Sequence, residues 1–90
     1  MRIVVAVLGK DRPGIIAGVS TVLYEAGANI LDITQTVLRN AVFTMVMLVD
    51  TGHSHLSFSE LKQKLSDCEK NLGMEINVQR EELFESMHRL

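Results

Sequence analysis

Arg2-Ile3-Val4-Val5-Ala6-Val7-Leu8-Gly9-Lys10-Asp11-Arg12-Pro13-Gly14-Ile15 is the stretch that decides the fold. Its first part, Arg2–Leu8, is rich in β-branched residues, is apolar at every position after Arg2 and stops at Gly9, the pattern of a strand covered on both faces. Lys10–Gly14 then reads as a turn. Pro13 stands where helices begin, and Asp11 is placed to cap the amides that a first helical turn leaves unpaired. From Ile15, apolar residues recur at Val19, Val22, Leu23 and Ala26, one face of a helix that Gly27 ends.

Outward from this strand–turn–helix, the chain repeats the same plan. Asn29–Leu38 alternates, with Leu31, Ile33 and Val37 against Asp32, Thr34 and Thr36, so one side of this second strand meets water. Arg39-Asn40 turns the chain into Ala41–Asp50, a third strand apolar on both faces. Thr51–His55 is a loop. Ser57 and Glu60 have the spacing of a capping box and open a second helix whose inner row is Phe58, Leu61, Leu65, Cys68 and Leu72, closed by Gly73. Met74–Arg80 is a fourth strand with Met74, Ile76 and Val78 on one side and Glu75, Asn77 and Gln79 on the other. Glu81–Leu90 carries Leu83, Phe84 and Met87 at helical spacing and reads as a C-terminal helical tail.

The order β-α-β-β-α-β consists of two split βαβ units. Right-handed crossovers place the first and third strands centrally and the second and fourth at the edges. The expected fold class is therefore α+β: a ferredoxin-like two-layer sandwich with an antiparallel four-stranded sheet of order 4-1-3-2, plus a short C-terminal helix. The two strands with apolar faces on both sides are the central ones, and the two that alternate are the edges. Helices cover one side of such a sheet. The other would expose Val4, Ala6 and Leu8, or their alternates, with half of Val42–Val49. An apolar patch of this kind calls for a cover, either the tail with Phe84 and Met87 or a second subunit.

Ninety residues make one domain, read as 1–90 with 81–90 as the tail. A chain of this size buries only about 60–65% of its unfolded surface, so a subunit contact would add useful stability. The hydrophobic fraction is 47%, too high for disorder. Net charge is −2 and the Lys and Arg residues are scattered, which excludes the basic stripe of a nucleic-acid surface. No apolar run nears the roughly 20 residues of a membrane span, and Ile3–Leu8 is too short for a signal peptide. A lone cysteine, Cys68, forms no internal disulfide, and a reduced cytoplasmic setting is expected.

The turn Gly9–Gly14 joins a central strand to a helix start. Such a start presents unpaired N–H groups and about half a positive charge, which attract a carboxylate or phosphate. Gly14 allows close approach to the backbone. Asn29, just after the Gly27 break, adds one amide acceptor and two donors. Together these groups suit a small zwitterion, although Asp-x-Pro-Gly and Gly-Ala-Asn are also ordinary turn chemistry.

Gly9–Ala17, followed one helix later by Gly27-Ala28-Asn29-Ile30-Leu31-Asp32-Ile33, resembles the signature of ACT domains. The whole chain is similar to the short single-domain ACT proteins of bacteria and archaea and, less closely, to the ACT halves of the regulator of the glycine cleavage system. The resemblance implies a regulatory domain, not an enzyme and without a cofactor. It would bind an amino acid or similar metabolite where the loop before helix one faces the second strand of a neighbour. Carried over by position, the contacts are Asp11, Pro13, Gly14, Ile15, Asn29 and Ile30. The resemblance also implies a homodimer or higher homo-oligomer, paired side by side across the second strand or through the helices. Most ACT domains are fused to an enzyme or DNA-binding domain, so a lone one is expected to act in trans on a protein partner. The alternative is a module for dimerisation or protein interaction without a small ligand.

Other chemistries fit less well. Gly9 and Gly14 have Walker-like spacing, but Ile15-Ile16 replace the lysine and hydroxyl residue. His53 and His55 lack the third ligand of a zinc site. Cys68 has no basic partner and reads as a buried hydrophobe. His88 reads as a surface residue at a helix end. An acylphosphatase-like site would use Arg12 and a sheet asparagine, yet Asn29 and Asn40 lie at strand ends. RNA recognition on this fold needs sheet aromatics, and only Phe43 is available.

Overall fold

The computed structural model describes residues 1–87, with side chains as far as Glu85. The expected elements appear in the expected order: β1 (Arg2–Lys10), α1 (Ile15–Glu25), β2 (Asn29–Val37), β3 (Val42–Asp50), α2 (Phe58–Leu72), β4 (Glu75–Arg80) and α3 (Glu81–Met87). The sheet order is β2-β3-β1-β4, the expected 4-1-3-2 read from the other edge, and every pairing is antiparallel. The C-terminal tail is helical over Glu81–Met87, and the expected extension to Leu90, with His88, lies outside the described residues.

The register explains why β1 and β3 carry apolar residues on both faces. Ile3, Val5 and Val7 stand opposite Val49, Met47 and Met45, and this side packs under the helices. There Leu23 and Val19 of α1 meet Leu61, Leu65 and Cys68 of α2, all buried. Burial pushes the Cys68 thiol up, so it stays protonated as a small hydrophobe. Gly18 sets the helix spacing: a Cβ there would lie 3.1 Å from the Leu72 methyl groups.

On the far side of the sheet α3 supplies part of the cover. It follows β4 without a gap and folds back across one end of that face, tied by an Arg2–Glu81 ion pair of 3.3 Å. Val4 is buried and, with Leu48 and Phe84, lines a cleft of about 200 Å³. Leu8 and Val46 remain 43% and 42% exposed, so the tail covers one end of the patch and leaves the other open.

Several local expectations are corrected. β1 continues through Gly9 to Lys10, because these residues still pair with Phe43 and Val42. The turn after β2 is longer than Arg39-Asn40. Leu38 donates to the Val42 carbonyl (2.8 Å), Ala41 donates to Leu38 (2.9 Å), and Ala41 adopts a left-handed φ of 62°. The alternation in β2 breaks at a bulge between Ile30 and Asp32, so Ile30 pairs opposite Val49 while Leu31 is the extra residue. Ile33 and Val37 then share the helix side of the sheet, yet they are 42% and 47% exposed because α1 covers this edge only in part.

The capping box expected at α2 is present. Ser57 Oγ accepts from Glu60 N at 3.1 Å, and Ser57 N donates to Glu60 Oε1 at 3.0 Å. The Ser57 amide first, and the Ser57 hydroxyl after it, hold the Glu60 carboxyl below the usual glutamate range, and an alanine would remove the hydroxyl's share. Two predictions follow from this packing and capping. Leu65→Ala, at a fully buried position, lowers stability by about 2–5 kcal/mol in urea denaturation. A carboxyl with a lowered folded pKa stabilises the fold above its unfolded pKa and loses that contribution as pH falls through the folded value. Ser57→Ala therefore raises the Glu60 titration midpoint followed by NMR and flattens the acid limb of stability. An unchanged midpoint contradicts the box.

Candidate functional site

The loop between β1 and α1 is held at both sides. Asp11 N donates to the Ala41 carbonyl at 2.8 Å, fastening the loop to the β2–β3 turn. Arg12 Nη1 donates to the Leu72 carbonyl at 2.8 Å, placing a cation on the C-terminal end of α2. Between these anchors the chain enters the helix through Gly14, at φ 88° and ψ 2°.

Gly14, not Asp11, is therefore the N-cap, which corrects the expected cap. The reason is the backbone path. A left-handed residue directly before Ile15, with Asp11 tied to Ala41, makes Gly14 the helix boundary. Gly14 O accepts the first helical bond, from Gly18 N at 2.9 Å. No side chain caps the helix, and its first turn holds no acidic residue. The amides of Ile15, Ile16 and Ala17 thus lack a side-chain acceptor among the described residues.

These amides border a shallow cleft of about 270 Å³, lined by Asp11, Arg12, Gly14, Ile16, Gln35 and Phe43 among others. Of the expected site residues, Asp11, Gly14 and Ile15 line it, Ile15 with its side chain buried. Pro13 is exposed beside it. Asn29 and Ile30 are elsewhere. Asn29 pairs with Asp50 at the other end of the sheet, whereas the cleft lies by Val37, Phe43 and Gly9. At about 3.3 Å per residue the separation along β2 is roughly 25 Å. One copy of the chain does not bring the two groups together.

Around Asn29 the neighbourhood is built by the β3–α2 loop. Ser54 Oγ donates to the Ala26 carbonyl at 2.8 Å, and Asp50 Oδ1 accepts from Gly52 N at 2.8 Å. His53 and His55 lie beside Gly27. No group of three His, Cys, Asp or Glu residues capable of holding a metal occurs among the described residues.

Sequence reasoning missed Gln35, Phe43 and Arg12 at the cleft. Gln35 had a signal: it interrupts the two-residue phase of Ile33 and Val37, so a polar side chain stands on the sheet side that faces the helices. Arg12 had none, because its partner is a backbone carbonyl 60 residues away.

A two-layer βαββαβ domain with this strand order is a ferredoxin-like fold, an architecture that by itself serves many functions. The chain belongs to the ACT domain family, whose model matches residues 1–79. A UPF0237 protein of Methanocaldococcus jannaschii is 48% identical over 89 residues, which cover 99% of this chain and 98% of that protein. The solved ACT domain protein from Streptococcus pneumoniae matches with a TM-score of 0.81 and 39% identity, covering 94% of both chains. The regulatory subunit of aspartate kinase from Thermus thermophilus shares the fold, with a TM-score of 0.69, 24% identity, and 87% of this chain and 50% of that one covered. Family membership makes this a regulatory, non-catalytic domain. None of its described helices is long and apolar enough to cross a membrane.

At Gly14 a Cβ would meet open space, so the backbone angle alone opposes a side chain there. Gly14→Ala is expected to lower stability by about 1–2 kcal/mol through its positive φ. A loss of 4 kcal/mol or more in denaturant melts would instead mean a steric clash.

Proposed function

We propose that this chain is a regulatory module that acts in trans and binds an amino acid or similar small zwitterion between two copies of itself. The observation that carries this reading is the open helix start: α1 begins on a left-handed Gly14 with no side-chain cap, facing Gln35 across a cleft. A carboxylate placed there receives backbone N–H groups from Ile15 and Ile16 and the favourable end of the helix dipole. The Asp11 carboxylate and the Gln35 amide oxygen are the acceptors at hand for an ammonium group.

Asn29 and Ile30 join the site from the neighbouring copy. Two β2 strands related by a two-fold axis across the sheet edge run antiparallel. Asn29 of one copy then lies alongside Val37 of the other, next to the other copy's cleft. The 25 Å separation within one chain, roughly, thereby becomes a contact between two. The strip that would be covered carries exposed apolar side chains among polar ones: Leu31, Ile33 and Val37 are 45%, 42% and 47% exposed. The Methanocaldococcus jannaschii and Streptococcus pneumoniae proteins named above have nearly this chain's length, which supports action on a separate polypeptide. The single cysteine suits a cytoplasmic setting.

A second reading keeps the dimer and drops the ligand. The same exposed β2 strip favours it, since the strip alone is a sufficient reason to associate.

Thermal denaturation in the presence of each of the common amino acids separates the two. A ligand at a hundredfold excess over Kd stabilises the fold by about 2.7 kcal/mol. At least one amino acid is expected to raise Tm by several degrees, and Asn29→Ala is expected to abolish that rise while Tm without ligand holds. A dimer whose Tm no amino acid changes supports the ligand-free reading.

A further inference from the structure

We propose that the edge of β4 is a docking groove for an extended acidic segment of another polypeptide, which adds to the sheet as a fifth strand. β4 is the sheet edge opposite β2, so the groove is independent of the dimer and ligand described above. The groove holds about 660 Å³. The row Phe58, Lys62, Ser66 and Glu69 of α2 forms one wall, β4 forms the floor, and Leu83 of α3 stands at the rim. The long axis of the groove is therefore the free side of a strand.

The backbone along that side is available. Ile76 N–H already donates outward, to Glu69 Oε2 at 2.7 Å. Amides alternate in direction along an antiparallel strand, so those of Val78 and Arg80 point the same way, away from β1. One carboxylate of the protein's own thus occupies the first outward amide, and the following two have β1 behind them and open groove in front. Neither a proline nor a bulge, two of the devices that block strand addition, protects this edge over its six residues.

Charge selects the occupant. Lys62 Nζ and the Arg80 guanidinium lie 5.9 Å and 5.3 Å from the centre of the Phe58 ring, so two cations converge on one apolar surface. Among the described residues the ion pair is Arg2–Glu81, and neither Lys62 nor Arg80 has a carboxylate partner. With Glu69 occupied at the Ile76 amide, Lys62 and Arg80 leave the lining net positive, on a molecule that as a whole carries −2. An added strand with alternating acidic and β-branched residues places its carboxylates against Lys62 and Arg80. Its other face meets Leu83, which is 53% exposed. Main-chain bonds supply adhesion, and the two cations supply the choice of partner.

The test uses the full chain labelled with nitrogen-15 and two blocked hexapeptides, acetyl-(Glu-Val)3-amide and acetyl-(Lys-Val)3-amide. The acidic peptide is expected to shift the Val78 and Arg80 amide signals and slow their exchange, with binding that weakens as salt rises. The lysine peptide is expected to leave them unmoved. Lys62→Glu combined with Arg80→Glu should weaken the acidic peptide about tenfold or more and transfer binding to the lysine peptide. The proposal is overturned by an absence of binding at millimolar peptide or by shifts confined to β2 or the α1 loop. It is also overturned if the doubly substituted protein self-associates through β4, because the cations would then be guards of the edge. Failure of the amino-acid reading changes none of these signals, since Val78 and Arg80 pair with Val5 and Ile3, toward the end of β1 away from Gly9 and the Gly14 loop.

Discussion

Two helices do not shield both faces of a four-stranded sheet, and here they do not span even one of them. That shortfall governs the rest of the molecule. The core is complete where β1 and β3 lie under α1 and α2, with Ile3, Val5, Met45, Met47, Val49, Leu61 and Leu65 almost wholly buried. It thins towards β2, whose apolar residues stay half exposed. On the opposite face α3 covers Val4 but not Leu8 or Val46. A small domain with little stability to spare thus carries several incomplete surfaces, and each of them is where another molecule can add burial.

The same economy shapes the loop before α1. Its two ends are fixed by bonds to distant backbone, Asp11 to Ala41 and Arg12 to Leu72, while the amides between them are left without a side-chain acceptor. At α2 the chain does the reverse, closing the helix start with a reciprocal Ser57–Glu60 box. The contrast within one small protein matters. Capping residues are available to this sequence, and at α1 a left-handed glycine stands in the cap position instead. A helix start that is both rigidly held and uncapped is preorganised for an anion from outside.

Much of the fold was legible because its signals are local or depend on layer coverage. The apolar character of β1 and β3 on both faces against the alternation of β2 and β4 fixed which strands are central, and S-x-x-E marked the start of α2. What escaped depends on partners distant in sequence. The bulge at Leu31 arises from pairing with Val49 and Leu48, and the left-handed Ala41 from the length of the β2–β3 turn. Asp11 has the composition of a cap but spends its amide on Ala41. Of the expected contacts, Asp11, Gly14 and Ile15 line the cleft, and Gln35 was hidden in a strand read only for its apolar phase. The placement of Asn29 roughly 25 Å from them follows from β1 and β2 being parallel on either side of β3, a fact of topology and not of motif.

The central claim is that helix-one amides of one copy and the Asn29 side chain of another form one binding site. The most direct measurement is an NMR titration of the nitrogen-15 protein with individual amino acids. It follows the backbone amides of Ile15, Ile16 and Ala17 together with the side-chain amide of Asn29. The account predicts that at least one amino acid moves both sets with a single shared midpoint. Movement of one set without the other, or of neither with any amino acid, would contradict it.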